Sequence, residues 1–270
     1  MQQALRAGRA ATNDEHAIKR LLGAVGAMVD TIPMDGTPPE TGEQVYRLVR
    51  EITGVVDPYR LIKESSISEA QSLYPGLKRM VERADDRLLT AIRIAIAGNV
   101  IDFGANPSFN LVEDVSVILR QDFAVLDYVA FVSHLRDAET VLYLGDNAGE
   151  SVFDKLLIEE LNKDVTYVVR EVPVINDVTR EDAIASGLDE VAEIISSGAE
   201  APGVILDRCT EEFRDRFARA DMVISKGQGN YEGLSESTRS VFFLLKAKCP
   251  LIARDLNVRE HDIVLKGVNV

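Results

Sequence analysis

At Thr140 the chain changes its hydrophobic period. Upstream, apolar residues recur at helical spacing through 1–10, 14–31, 43–53, 61–73, 77–84 and 88–101, with two further helical stretches at 111–119 and 127–136. No upstream segment alternates as a strand should. Downstream, short β-rich runs at 141–144, 165–169, 204–206, 222–224, 241–245 and 263–265 alternate with helical segments at 150–161, 180–186, 211–220 and 231–234. Strand–helix–strand order demands a mostly parallel sheet covered by helices on both faces. The pattern therefore predicts two domains, an all-helical one over residues 1–138 and an α/β one over residues 139–270.

Composition narrows the partners. The 270 residues are 46% hydrophobic and carry a net charge of −14, which argues against a nucleic-acid partner and an anionic membrane surface. No apolar run approaches the roughly 20 residues of a membrane span, and the first residues show no apolar core of a secretory signal. Cys209 and Cys249 are too few for a disulfide framework, so a reduced cytoplasm is the expected location.

Parallel sheets place ligands outside the carboxyl ends of their strands. Three polar loops fall there. The first, Gly145-Asp146-Asn147-Ala148-Gly149-Glu150, runs straight out of a core strand. It is readable as a glycine-hinged turn, or as a carboxylate and an amide oxygen suited to a hard divalent ion. Two such groups bind an ion poorly alone, so a third ligand is required. The loop after the next strand carries Asn176, Asp177, Thr179, Glu181 and Asp182. There Thr179 and Asp182 also have the spacing of a helix capping box. The third loop, "SKGQGNYEGLS", holds Lys226, Gly227, Gly229, Asn230 and Glu232. Glycines let backbone N–H groups approach an anion, and a lysine supplies a point charge for a phosphate. In the helical half, Asn99 and Asp102 share a helix face near Gly98 and Gly104. They form either a polar helix end or a cap on a cleft between the domains.

Taken together, "GNVIDFG", "GDNAGE", "NDVTREDA", "KGQGNYEGLS" and "AKCPLIARDLNV" make the chain resemble the damage-control phosphatase family, formerly domain of unknown function 89, in its small archaeal and bacterial branch. The resemblance implies a helical region followed by a three-layer α/β/α domain. It implies a metal-dependent phosphatase of small phosphorylated metabolites, such as damaged or side-product sugar phosphates. It carries one divalent ion (Mg, Mn, Co or Ni) to Asp146, Asn147 and Asp182, and matches the Lys226 loop to the phosphate side. Relatives of this branch commonly have a Cys-x-x-Cys pair just before the "QALRA" stretch, and no such pair stands here.

The expected chemistry is phosphomonoester hydrolysis, with Asp146, Lys226 and Asp102 as catalytic groups. Lys226 would neutralise a nonbridging oxygen, helped by the backbone at Gly227 and Gly229. Asn99, Asp102, Asn230 and Glu232 would sit near the leaving group or in the layer of residues behind it. His16, His134 and His261 lie outside every motif. Two other classes share the same loops. An S-adenosylmethionine-dependent carboxyl methyltransferase would use Glu171, although the first loop lacks a GxGxG pattern. A non-catalytic metabolite-binding module would need no turnover.

Overall fold

The computed structural model describes residues 1–33, 36–100 and 119–270. The chain opens with helices α1 (Gln2–Ala11), α2 (Glu15–Met28), α3 (Pro38–Thr53), α4 (Arg60–Glu82) and α5 (Arg87–Val100). Local chemistry sets their ends. Asp14 accepts from the His16 N–H at the start of α2. Thr37 and Glu40 form a capping box ahead of α3, Pro38 takes its first turn, and Gly54 closes it in the left-handed region (φ +70°).

Two expected helices, 61–73 and 77–84, are one. Pro75 lies inside α4, where it removes a backbone hydrogen bond at a cost of about 3 kcal/mol. Ile67, Ala70, Leu77 and Val81 are buried on either side of it. Each large apolar side chain returns about 1.5–3 kcal/mol, so packing outweighs the break. Ala91, Ile92 and 94–97 of α5 are all fully buried, so this stretch is covered on nearly every side, with Arg93 as the part-buried exception. The expected helix at 111–119 lies, but for Leu119, outside the described residues.

The α/β part is built from β1 (Phe123–Leu126), α6 (Tyr128–Asp137), β2 (Thr140–Leu144), α7 (Ser151–Leu161), β3 (Asp164–Val169), α8 (Arg180–Ala185), β4 (Glu193–Ser196), α9 (Glu211–Arg219), β5 (Met222–Lys226), α10 (Gln228–Leu234), β6 (Val241–Lys246), α11 (Pro250–Asp255) and β7 (Ile263–Val268). The strands form one sheet in the order β1-β7-β6-β5-β2-β3-β4. All neighbours are parallel except β6 and β7.

Period-two alternation divides the core. Val141, Tyr143, Tyr167, Ile224 and Leu244 face a cluster that includes residues of α4, α5 and α7. Leu142, Leu144, Val168, Val223 and Phe243 face α9 and α10 on the other side. Helices α1 to α3 enclose a third cluster, which includes Val174 from the segment after β3.

Two strands escaped the sequence reading and one expected strand is absent. Residues 204–206 lead into a short 3-10 turn, Leu206–Arg208, and the strand beyond β3 is β4, at the sheet edge. Strand β1 occupies the opposite edge, upstream of Thr140. Both are four residues long, too short for periodicity to register.

The sheet order reverses beside β2. From β2 the chain moves out to β3 and β4, then crosses back to β5 and β6. The loops leaving β2 and β5 therefore diverge and open a crevice at the carboxyl ends of the strands.

Candidate active site

Backbone hydrogen bonds stitch the loop after β2 to the segment after β3. Ala148 N–H donates to Asn176 O (2.8 Å), Val178 N–H to Asp146 O (2.8 Å) and Arg170 N–H to Val178 O (3.0 Å). Asn147 and Asp177 are bridge partners. Asp146, Asn147 and Asp177 are thereby brought side by side. The turn that delivers Asp177 is strained, since the β-branched Ile175 sits at φ +49°. Val174, in the helical cluster, anchors it.

Arg170 backs this trio from within the protein. Its Nε donates to Asp177 Oδ2 (2.8 Å), its Nη2 donates to Asn230 Oδ1 (2.9 Å) and lies 4.0 Å from Asp146 Oδ1. Nη1 is buried without a partner among the described residues. Asn230, expected near the leaving group or in the layer behind it, takes the second place as a fully buried tie. Its amide donates to Gly145 O (3.0 Å) and Lys226 O (2.8 Å), and its Oδ1 also accepts from Val204 N–H (3.0 Å). It joins β2, β5 and the 204 loop and has no polar atom left for substrate.

Lys226 does not reach a substrate either. It is fully buried, and its ammonium donates to Glu150 Oε1 (2.5 Å), Asp154 Oδ1 (2.5 Å) and Ala95 O (2.8 Å). Three donors meet three acceptors. Burial alone would lower its pKa, but Asp154 and Glu150 outweigh that and hold it above the usual lysine value. Asp154 accepts in addition from the hydroxyls of Tyr143 (2.8 Å) and Tyr167 (2.9 Å). Burial raises its pKa to about 6 despite Lys226.

Gly227 N–H is taken by Leu244 O (3.1 Å), so it is not free for an anion. A Cβ at Gly229 would meet Pro202 O at 2.2 Å, which makes that glycine a packing requirement. Glu232 does line the cleft, held by Gln228 Nε2 (2.8 Å), with its pKa raised by burial. Asp102 lies outside the described residues, as does the side chain of Asn99.

The cleft over Asp146, Asn147 and Asp177 has a volume of about 340 Å³ and is walled by Gln3 of α1 and Pro38, Pro39 and Gly42 of α3. Among its described lining residues Lys248, an exposed side chain, is the one lysine or arginine. Burial, then the nearby Glu150 and Asp177 carboxylates, push the Asp146 pKa up to about 7, while Lys248 and Arg170 pull the other way. Burial also raises Asp177, against the pull of Arg170.

Asp182 is elsewhere. Its Oδ2 accepts from Thr179 N–H (2.9 Å) and Thr179 Oγ1 (2.6 Å), the capping box that the sequence also allowed. The same oxygen takes Lys63 Nζ at 2.7 Å, and Lys63 is shared with Asp57 (2.7 Å). Asp182 and Glu171 line a separate cleft with Arg60 and Lys63. The structure thus brings Asp146 and Asn147 together with Asp177 and not with Asp182.

The trio suits a hard divalent ion. Among the described residues no three His, Cys, Asp or Glu side chains are grouped to hold a metal, but this set is two carboxylates and an amide. Four buried carboxyl groups (Asp146, Glu150, Asp154 and Asp177) face two buried cations, Arg170 and Lys226, so the acids at the base of the cleft outnumber the cations by two. Oxygen donors and that excess match Mg²⁺ or Mn²⁺.

The comparisons assign this α/β sheet, with its acidic, oxygen-rich site at the switch point, to a class of metabolite-processing enzymes of damage-control phosphatase type. Residues 1–264 match the model of the damage-control phosphatase ARMT1-like domain, and the chain belongs to that family. It is 38% identical over 234 residues to the damage-control phosphatase PH1575 of Pyrococcus horikoshii, covering 84% of this chain and 80% of the relative. It is 37% identical over 233 residues to a damage-control phosphatase of Archaeoglobus fulgidus, covering 83% and 81%. The crystal structure of the Pyrococcus protein superposes with a TM-score of 0.90 at 33% identity, covering 98% of this chain and 94% of that one. No helix among the described residues is long and apolar enough to cross a membrane.

Arg170 and Lys248 were missed in the sequence. Neither sits in a glycine-rich loop; Lys248 falls in the quoted "AKCPLIARDLNV" stretch, which assigns it no role, and the packing of strand ends brings both to the site.

Proposed function

We propose that the chain is a metal-dependent phosphomonoester hydrolase of small phosphorylated metabolites, with Asp146, Asn147 and Asp177 holding one divalent ion. The observation that carries this reading is the convergence of those three oxygen donors at the switch point, above an excess of buried acids over buried cations. A bound ion would polarise the phosphate and lower the pKa of a water. The chain's own residues do the rest. Arg170 fixes the Asp177 carboxylate through its Nε and leaves its Asp146 face a weaker contact, at 4.0 Å. Lys248, at the open side of the cleft, meets the phosphate as a point charge. Gln228 orients Glu232 (2.8 Å), which accepts hydroxyls of the leaving group. The walls from α1 and α3 limit the substrate to one of metabolite size.

The test is phosphate release from a panel of phosphorylated sugars and a generic aryl phosphate. Chelator-treated protein is supplied with Mg²⁺, Mn²⁺, Co²⁺ or Ni²⁺. Release should require the ion and fall sharply in Asp177→Asn at ion concentrations that saturate the native protein. No ion-dependent release from any ester would sink the reading.

A further inference from the structure

Asn147 is an amide held between two carboxylates. Its Nδ2 donates to Asp146 Oδ2 (3.1 Å) and Glu150 Oε2 (3.2 Å). Glu150, ion-paired with Lys226, only accepts. Turning the amide over would therefore set its oxygen against that carboxylate oxygen. The hydrogen-bond chemistry fixes the flip, with the Asn147 NH₂ directed inward and its Oδ1 left for the cleft that the residue lines.

Behind Asn147 runs a buried chain. Glu150 is anchored through its other oxygen by Lys226 (2.5 Å), and Lys226 is pinned in turn by Asp154 (2.5 Å) and Ala95 O (2.8 Å). Tyr143 and Tyr167 lock Asp154. Glu150, Asp154, Lys226 and both tyrosines are completely buried. Such an ion cluster is often no more stabilising than apolar side chains of the same volume. Its contact with Asn147 gives it another use, because groups behind a metal ligand orient that ligand.

We propose that Lys226 and Glu150 are positioning residues that fix the rotamer and flip of Asn147, so that its carbonyl oxygen is presented to a divalent cation before the ion arrives. This rests on the reading of Asp146, Asn147 and Asp177 as the metal site. Lys226 then serves the reaction from inside the protein, without contact to the phosphate.

The experiment is calorimetric titration of the full-length, metal-free protein with Mn²⁺ alone. Glu150→Gln keeps the side-chain size. Lys226 offers donors only, so the substituted amide must give it the carbonyl oxygen and turn its own NH₂ toward Asn147 Nδ2. Two donors then face each other, and Asn147 must rotate its oxygen inward. Mn²⁺ affinity should fall at least tenfold. Loss of a charge would also weaken binding, so Lys226→Met supplies the opposite sign. If only charge matters, removing a cation from an acidic site tightens Mn²⁺ binding. If Lys226 holds Glu150 in place, binding weakens several-fold. Lys226→Gln makes the same comparison should the Met variant fail to fold. Native affinity in Glu150→Gln, or equal or tighter binding in the lysine variant, overturns the proposal. Asp146→Ala separates the two possible failures. Undiminished Mn²⁺ binding there removes the metal reading itself. Binding lost in Asp146→Ala but kept in Glu150→Gln removes only the relay.

Discussion

Gly227 and Asp146 are placed so closely that a Cβ on residue 227 would lie 2.0 Å from Asp146 Oδ2. Residue 227 also stands at φ +78° and ψ 162°, a region essentially confined to glycine, where an L side chain costs about 1–3 kcal/mol before any clash. The first residue past β5 must be glycine for the carboxylate past β2 to rest against it. Gly227→Ala should therefore displace Asp146, abolish ion-dependent turnover and lower stability by more than the backbone cost alone. Turnover and thermal unfolding of the one variant test both parts. A variant with native kcat/KM would show that the Asp146 rotamer is free to move.

Asp177 and Asp182 make a paired test, since the resemblance pointed to one and the geometry to the other. Asp177→Asn removes a charge beside Asp146 and should weaken Mn²⁺ binding by at least tenfold, with part of the turnover restored at high ion concentration. Asp182→Asn keeps an acceptor for the Thr179 cap but loses its charge beside Lys63. It should cost about 1 kcal/mol of stability and leave ion affinity near native. The reverse outcome would return the third ligand to Asp182.

That exchange shows where sequence reading reaches and where it stops. The change of period at Thr140 marks the sheet, and the acid–amide pair at the end of β2 is legible because parallel strands expose their carboxyl ends. Asp177 and Asp182 are five residues apart in one polar segment, and local pattern favours neither. The choice is made by the left-handed Ile175, by Val174 held in the helical cluster, and by Arg170 arriving from the end of β3. Lys226 misled for a related reason. A lysine before a glycine-rich turn reads as an anion ligand, but its burial depends on Ala95 of α5, Asp154 of α7 and Glu150 at the N-cap of α7, which lie from 72 to 131 residues away.

Burial and neighbouring carboxylates raise Asp146 to about 7 and, with Lys226 opposing, Asp154 to about 6. Both exceed the ordinary aspartate value near 3.9, so between about pH 4 and 7 these two groups bind more protons in the folded chain than in the unfolded one. By linkage, the stability of the metal-free protein should fall as pH rises through that window, by an amount on the order of a few kcal/mol. A divalent ion replaces those protons and should restore more stability at pH 7.5 than at pH 5. Urea denaturation with EDTA and with Mn²⁺ at both pH values measures this. Metal-free protein that grows more stable from pH 5 to 7.5 would contradict the excess of acids assigned to the site.

Lys248 and Lys226 should fail in different ways, because one borders the cleft and the other is sealed behind it. Lys248→Ala removes a point charge from the approach of the phosphate. It should lower kcat/KM by about tenfold, less than the loss of about 10²–10³ for a water-excluded preorganised donor because Lys248 is exposed, and weaken inhibition by inorganic phosphate in parallel. Mn²⁺ affinity should stay near native or tighten slightly, since a cation has left an acidic cleft. Lys248→Arg should recover part of the loss, its larger forked group keeping the charge but not the position. The lysine variants at 226 should instead lose Mn²⁺ affinity first and phosphate inhibition only as a consequence. Steady-state kinetics, phosphate inhibition and Mn²⁺ calorimetry on both sets of variants resolve the two behaviours. Native kcat/KM together with native phosphate inhibition in Lys248→Ala would leave the phosphate without its proposed ligand.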